Sequence, residues 1–197
     1  MNLPNKITLI RIALVFIFML FLFMKGLTFK ILALATFMLA AFSDYLDGFI
    51  AKRYGIVSDF GKLMDPIADK ILTLAAFLAF VEMKLIPAWM VVIILMRELI
   101  ITGIRLFALA KGEVLPASLA GKQKTVSQMV SIFVILVFII FREAGVRVFG
   151  FWSPPFEYWY KQLIFILMLV TVALTIISGV SYLIRGKKYL LNNEKST

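Results

Sequence analysis

The stretch SDYLDGFIAKRYGIVSDFGKLMDPIADK, residues 43–70, contains every aspartate of the chain. Its flanks are strongly apolar, and 62% of the 197 residues are hydrophobic, against about 45–50% in soluble domains. An ionised aspartate at the centre of a membrane helix costs about 2.5–3.5 kcal/mol on insertion scales. Four of them would cost about 10 kcal/mol if the values are added, unless the carboxylates share a hydrated cavity and hold cations. The composition therefore predicts an integral membrane protein with a cation site.

The aspartates fall on two predicted helices, and on each helix a pair shares one face. Asp44 and Asp47 are three residues apart, and Asp65 and Asp69 are four apart, which are the spacings of neighbours on a helix surface. The linker between the helices, residues 52–60, carries a Tyr-Gly turn signal. We expect antiparallel neighbouring helices whose acidic ends meet at one membrane surface. Converging carboxylates form an oxygen-only site that suits Mg²⁺ or Mn²⁺.

Composition also excludes several kinds of chemistry. The chain has no cysteine and no histidine, so disulfides and a thiolate metal site are ruled out, and a zinc site is disfavoured. Proton transfer at neutral pH must fall to a carboxylate, a tyrosine or a lysine. The net charge is +10. Because the basic residues cluster at the ends of apolar runs, we expect anionic lipids and anionic substrates as partners, and no nucleic acid.

The apolar runs predict an all-α fold in one membrane domain, residues 1–197, with six transmembrane helices. A span needs about 20 residues. Ser58 and Asp59 are N-cap candidates for the third span, and Pro66 is expected in or near its first turn. Residues 111–124 are expected to form a loop, and residues 142–161 a connection whose aromatics lie at the membrane interface. The expected spans are residues 7–24, 31–50, 61–81, 87–110, 125–141 and 162–184.

The distribution of lysine and arginine predicts the orientation. An even number of spans places both termini on one side, and that side collects most of the cations, so it is expected to be the cytosol. The acidic cluster then opens on the cytosolic face of the cell membrane, where nucleotides and phosphorylated metabolites are. The opposite side has only Lys25, Lys30, Lys84, Arg142, Arg147 and Lys161.

From Asp44 to Asp69 the acidic stretch has the pattern D-x2-D-G-x2-A-K-x8-G-x3-D-x3-D. It resembles the signature of the CDP-alcohol phosphatidyltransferases at every spacing, with Lys52 where the family usually has arginine. The resemblance implies that a hydroxyl attacks the phosphorus of a CDP-linked lipid and that CMP leaves. It also implies two Mg²⁺ or Mn²⁺ ions held by Asp44, Asp47 and Asp65, with Asp69 as general base and further metal ligand.

The resemblance extends to the nucleotide site. Gly48 and Ala51 would let the nucleotide approach the helix backbone, although small residues also serve close helix packing. Lys52 would face the phosphates as a point charge rather than as the fork of an arginine, and Arg53 is an alternative for this role. The CDP-binding residues expected from the signature are Asp44, Gly48, Ala51, Lys52 and Gly61.

The N-terminal segment adds two candidates for the nucleotide. Pro4, Asn5, Thr8 and Arg11 resemble a pattern found in one branch of the family. Asn5 and Arg11 would then reach CDP from the cytosolic interface. A positive-inside anchor is an equally good interpretation of Arg11.

A second basic set lies on the fourth predicted span and in the segment after it. Arg97 and Arg105 are eight residues apart, about two helical turns, so they share a face. Arg97 lies deep in an apolar run, which makes it a functional candidate, and Glu98 is a partner for it or for another cation. Lys122 and Lys124 lie in GKQKT, either at the cytosolic mouth or in a positive-inside loop. Together these cations would bind an acceptor that carries a phosphate.

This basic set favours the branch of the family that uses glycerol 3-phosphate as acceptor, which residues 65–70, 97–105 and 121–125 also resemble. The expected partners are CDP-diacylglycerol, glycerol 3-phosphate, membrane lipids and, from the resemblance, a second copy in a homodimer. Synthesis of cardiolipin or of phosphatidylinositol phosphate is the alternative within the family. A divalent-cation transporter is the alternative outside it, but such sites usually lie near the membrane midplane in repeated halves, and this sequence has no repeat.

Overall fold

The computed structural model describes the backbone of residues 3–54, 59–110, 119–150 and 152–193, and the side chains of residues 10–43, 70–104, 123–150 and 152–184. Within these ranges the chain is helical and has no strand, which confirms the predicted all-α fold. A π-helical turn, Gly145–Phe149, follows the fifth helix. The α-helices are α1 (Leu3–Phe23), α2 (Leu27–Tyr54), α3 (Asp59–Glu82), α4 (Ala88–Ala110), α5 (Leu119–Ala144) and α6 (Pro154–Asn193).

Apolar side chains from several helices form the core of the bundle. Helix α1 packs against α2 and α3, α5 packs against α2 and α6, and α4 packs mainly against α6. Phe18 of α1 and Phe37 of α2 lie with their ring centroids 5.7 Å apart, within the range of favourable aromatic pairs. The largest side chains that are almost completely buried include Phe18, Phe37, Phe77, Phe80 and Phe138.

The outside of the bundle is apolar, and part of the inside is polar. Phe16, Leu99 and Ile177 are each more than half exposed, whereas Ser131 and Thr171 are fully buried. A soluble helical protein rarely exposes so much contiguous apolar surface. Small polar side chains between helices, with large apolar ones facing outward, are typical of a bundle surrounded by lipid.

Helix lengths agree with a membrane protein. Among the described residues, two stretches are long and apolar enough to cross a membrane, Gln123–Phe149 and Pro154–Ile184. Two shorter apolar stretches, Ile10–Phe23 and Leu27–Ser43, lie on α1 and α2. Lipid is therefore the environment that these helices and their exposed faces fit.

The observed starts of α5 and α3 correct two predictions. Helix α5 begins at Leu119, so Lys122 and Lys124 lie on a helix and not in a loop. The prediction began this span at residue 125, where hydropathy rises. Hydropathy marks the edge of the apolar layer, and a helix can extend beyond that edge. Pro66 lies beyond the first turn of α3, which begins at Asp59. Its ring nitrogen has no hydrogen to donate to the carbonyl of Lys62.

Helix α6 extends beyond its predicted span at both ends. It begins at Pro154 rather than near residue 162 and continues to Asn193. Ser153 precedes a proline in the first helical position, where the fixed φ of proline suits a helix start. The amide of Glu157 donates to the carbonyl of Ser153 at 3.1 Å. The carboxylate of Glu157 lies in the first turn, where it interacts favourably with the helix dipole. The aromatic residues 158–160 are therefore helical.

The turn between α1 and α2 is fastened by side chains. Lys30 is buried, and its ammonium donates to the carbonyls of Leu22 at 2.5 Å and Met24 at 2.8 Å, which lie at the end of α1. The amide of Gly26 donates to a carboxylate oxygen of Glu143 on α5 at 3.0 Å. These contacts hold the turn between α1 and α2 against α5. The acidic half of α2 lies at the other end of that helix.

The turn between α3 and α4 contains a residue in the left-handed conformation. Lys84 has a φ of 57°. The amide of Leu85 donates to the carbonyl of Phe80, and that of Lys84 to the carbonyl of Val81, both at 2.9 Å. This is the Schellman pattern of helix termination, in which the left-handed position is usually glycine. A side chain there costs about 1–2 kcal/mol.

Candidate active site

The signature lies where α2 ends and α3 begins. The backbone is helical at Asp44 and Asp47 on α2 and at Asp65 and Asp69 on α3, so the predicted helices are confirmed and each pair shares a face. The two helices are in contact. Only residues 55–58 separate them, so chain length alone keeps their facing ends within about 18 Å.

The side chains of residues 44–69 lie outside the described part of the chain. The roles assigned to the signature residues therefore stay predictions. They are the metal ligands Asp44, Asp47, Asp65 and Asp69, with Asp69 as base, and the nucleotide contacts Gly48, Ala51, Lys52 and Gly61.

The residue next to the last signature aspartate connects α3 to α4. The ammonium of Lys70 donates a hydrogen bond to the hydroxyl of Thr102. Thr102 belongs to the RELIITGIR segment, residues 97–105, which carries part of the predicted acceptor site. The base candidate Asp69 and the basic segment of α4 are thus on neighbouring helices, at a similar position along the helix axes.

An ion cluster that is mostly buried joins α4 to α5. Glu98 forms an ion pair with Lys124 of α5, and its Oε1 also lies 3.4 Å from Nη1 of Arg97. The side chains of Arg97, Glu98 and Lys124 are only 12%, 16% and 6% exposed. Among the side chains that the structure describes, two cations here share one carboxylate. Glu98 is therefore a partner of both predicted acceptor-site cations, since a buried charge needs a counter-charge.

Helix α6 contributes two residues that the sequence did not single out. Nη2 of Arg97 donates to the hydroxyl of Ser178 at 2.8 Å. A Cβ atom placed on the next residue, Gly179, would lie 3.1 Å from Cγ of Arg97. The Ser-Gly pair within an apolar run was the available signal, because small residues are enriched where membrane helices approach closely.

Of the other predicted binding residues, the structure describes the side chain of one, Arg11. Arg11 lies on α1 and is only 2% exposed, so it points to the interior, which favours a binding role over a surface anchor. The side chains of Asn5, Arg105 and Lys122 lie outside the described part, although their backbones are helical on α1, α4 and α5.

A line of hydroxyl groups fixes α5 against α6 close to Lys124. The hydroxyl of Thr171 lies 2.7 Å from that of Ser127 and 2.8 Å from that of Ser131. Within α6, Thr171 also donates to the carbonyl of Leu167, and Thr175, one turn further along, donates to the carbonyl of Thr171. Interhelical hydrogen bonds of this kind hold membrane helices together. Because Lys124 is one turn from Ser127, they also set its position.

Comparison of the sequence with family profiles identifies the family of the chain. A profile of the family described as CDP-alcohol phosphatidyltransferase matches residues 1–184. The chain belongs to this family. A CDP-alcohol phosphatidyltransferase is a transferase, so the predicted enzyme class is confirmed and the alternative of a cation transporter is set aside. Enzymes of the family generally depend on a divalent metal.

Several bacterial phosphatidyltransferases resemble the chain over most of its length. Proteins named CDP-diacylglycerol–glycerol-3-phosphate 3-phosphatidyltransferase are among them. The one from Bacillus subtilis is 36% identical over 148 residues, covering 69% of this chain and 77% of that protein. The one from Rickettsia bellii is 33% identical over 190 residues, covering 95% and 97%. The one from Rickettsia felis is 32% identical over 189 residues, with the same coverage.

Proposed function

We propose that the enzyme transfers the phosphatidyl group of CDP-diacylglycerol to sn-glycerol 3-phosphate. The acceptor oxygen forms a bond to the phosphatidyl phosphorus while the bond from that phosphorus to the pyrophosphate bridge breaks. CMP leaves with the electron pair of the broken bond, and the proton of the acceptor hydroxyl passes to the carboxylate of Asp69. The products are phosphatidylglycerophosphate and CMP.

The observation that carries the choice of acceptor is the buried cluster around Glu98. Arg97 and Lys124 place two cations inside an apolar bundle. Thr102, on the same helix as Arg97, accepts a hydrogen bond from Lys70, the residue next to Asp69. An acceptor that carries a phosphate makes strong charge-assisted hydrogen bonds with such cations, whereas a neutral alcohol has no charge for them to bind. The related bacterial enzymes named CDP-diacylglycerol–glycerol-3-phosphate 3-phosphatidyltransferase agree with this choice.

Asp44, Asp47, Asp65 and Asp69 fit two Mg²⁺ or Mn²⁺ ions by their chemistry. The donors are all carboxylates on helical backbone, each pair on one face, and the chain has neither histidine nor cysteine to favour a softer metal. When bound, such ions neutralise pyrophosphate oxygens and polarise the phosphorus.

The chain's own residues bind and orient the nucleotide in this proposal. Lys52, with Arg53 as the alternative, faces the phosphates, and Gly48, Ala51 and Gly61 leave space for them. Asn5 and the buried Arg11 reach the nucleotide from α1. Arg105 and Lys122 extend the acceptor site from Arg97 and Lys124 toward the cytosolic mouth.

In the proposed topology all six α-helices cross the cell membrane, and both termini and the active site face the cytosol. The apolar outer faces and the excess of cations on the signature side support it. A homodimer is proposed from the family resemblance.

An acceptor assay tests the proposal directly. Purified enzyme in detergent is incubated with CDP-diacylglycerol and, separately, with labelled glycerol 3-phosphate, inositol phosphate, phosphatidylglycerol or glycerol. We expect CMP release and labelled lipid with glycerol 3-phosphate alone. Consumption of only inositol phosphate or phosphatidylglycerol would overturn the acceptor and place the enzyme on another branch of the family.

A further inference from the structure

A cavity lies at the end of the bundle opposite the signature. Its volume is about 570 Å³, and it lies between the α3–α4 turn and residues 161–165 of α6. The signature occupies the end of α2 and the beginning of α3, whereas this cavity is built at the end of α3. Its wall includes Leu85, Ile86 and Phe165, and two lysines, Lys84 and Lys161, also line it. Apolar walls with cationic groups suit an amphiphile that carries a negative charge.

Lys84 is the first indication of a binding role. It is the left-handed residue of the α3–α4 turn, with a φ of 57°, where glycine would avoid the steric cost. Its side chain is exposed, and its ammonium makes no hydrogen bond or ion pair among the residues that the structure describes. A charged side chain at a strained position, facing a cavity, points to a function other than folding.

The charge around the cavity is the second indication. Nζ of Lys161 lies 2.9 Å from Oε1 of Glu157, and Nη2 of Arg142 lies 3.6 Å from the same oxygen. Glu82 lies at the end of α3 between the lining residues Val81 and Lys84. Together with Lys84 and Glu82 these groups comprise three cations and two carboxylates, so this corner has a formal charge of +1. Such cations at the edge of an apolar bundle attract anionic lipid headgroups.

We infer that this cavity binds a phospholipid with an anionic headgroup, such as phosphatidylglycerol. The lipid phosphate lies between the ammonium groups of Lys84 and Lys161, and an acyl chain follows Leu85 and Phe165 toward the membrane interior. The lysine stems cover apolar surface while their charged ends stay at the interface. A free phosphate ion gains nothing from the apolar wall, so the lipid is the ligand that uses both parts of the cavity.

Binding of phosphatidylglycerol to the full-length enzyme tests the inference, with phosphatidylcholine as the neutral comparison. Affinities are measured by native mass spectrometry without CDP-diacylglycerol, because that lipid is itself anionic and would compete for the cavity. Lys84→Met keeps the length and the backbone strain of the residue but removes its charge. Lys25→Met is the control, because Lys25 is an exposed lysine in the α1–α2 turn that does not line the cavity.

We expect Lys84→Met and Lys161→Met each to weaken phosphatidylglycerol binding about fivefold, with no effect of Lys25→Met. Glu157→Gln should strengthen binding, because it removes the carboxylate that competes for Lys161. Equal effects of Lys84→Met and Lys25→Met, or equal affinity for phosphatidylcholine, would overturn the inference. So would displacement of the lipid by millimolar inorganic phosphate, which would identify a site for free anions.

Discussion

Gly179 of α6 faces Arg97 of α4 so closely that a methyl group in its place would lie 3.1 Å from Cγ of the arginine. Gly179→Ala therefore forces Arg97 to shift by a few tenths of an ångström, away from its hydrogen bond with Ser178. If Arg97 binds the acceptor phosphate, we expect the KM for glycerol 3-phosphate to rise about tenfold, since a hydrogen bond to a charged group is worth about 1.5–3 kcal/mol. The KM for CDP-diacylglycerol should change little.

Gly103→Ala is the matched control for this experiment. Gly103 is also a helical glycine, but a Cβ there would meet no atom within 4 Å. Its replacement should leave both KM values unchanged and stabilise α4 by about 0.5–1 kcal/mol. An equal rise in both KM values for Gly179→Ala would mean that Arg97 supports the bundle and does not bind the acceptor.

The pairing of Glu98 with Lys124 predicts non-additive effects on stability. Glu98→Gln removes the carboxylate that Arg97 and Lys124 share, and breaking a buried pair costs about 3–5 kcal/mol. Lys124→Met leaves Glu98 with Arg97 alone. The double variant removes one charge of each sign, so it should be more stable than Glu98→Gln, with a coupling of about 1–3 kcal/mol. Thermal unfolding in detergent measures the cycle, and additive effects would show that Glu98 and Lys124 do not interact energetically.

The contacts of Thr171 predict how much the hydroxyl groups between α5 and α6 contribute to stability. Thr171→Val keeps the shape of the side chain but removes its contacts with Ser127 and Ser131, together with its bond to the carbonyl of Leu167 in its own helix. At about 0.6 kcal/mol for an average interhelical hydrogen bond, the loss should total about 1 kcal/mol. Thr175→Val is the control, because Thr175 bonds only to a carbonyl of its own helix. Chemical unfolding should separate the two variants, and indistinguishable stabilities would contradict the role of Thr171.

The left-handed turn at Lys84 predicts a stabilising substitution. Lys84→Gly removes the steric cost of a side chain at positive φ and should stabilise the protein by about 1 kcal/mol, or about 2–4 °C in Tm. Lys84→Ala keeps the Cβ atom and should leave Tm unchanged. If both variants shift Tm equally, the charge and not the backbone conformation determines the effect.

The proposed metals and base predict a separation of binding from turnover. A chelator should abolish CMP release, and added Mg²⁺ should restore it. Asp69→Asn should lower turnover by about 10²–10⁴, the usual contribution of a general base, while CDP-diacylglycerol still binds. Equilibrium binding and single-turnover rates measure the two effects. Full activity in chelator, or a loss confined to binding, would contradict the proposed roles.

Local patterns predicted the parts of the fold that depend on neighbours in sequence. The apolar runs and the three- and four-residue spacing of the aspartates predicted α2 and α3 correctly, because a helix presents those spacings on one face. The ion pair of Glu98 was also foreseen, with its partner left open. The contact of Arg97 with Ser178 was not, since nothing local in α4 indicates which helix will cover it.

The start of α6 shows a different limit. The prediction followed hydropathy and placed the span after Lys161, whereas the helix begins at Pro154. Ser153 and the two prolines after it are a recognised helix start, but the charged and aromatic residues that follow masked the signal. Hydropathy reports where lipid lies along a helix, and capping residues report where the helix begins.

The carboxylate of Glu98 has a consequence for discrimination between acceptors. An incoming molecule that binds to Arg97 and Lys124 must compete with an anion that already belongs to the protein. A phosphate monoester carries enough charge to take over these contacts, whereas an uncharged polyol cannot displace a carboxylate from an ammonium group. The enzyme would thus reject neutral alcohols by an internal competitor rather than by the shape of its pocket.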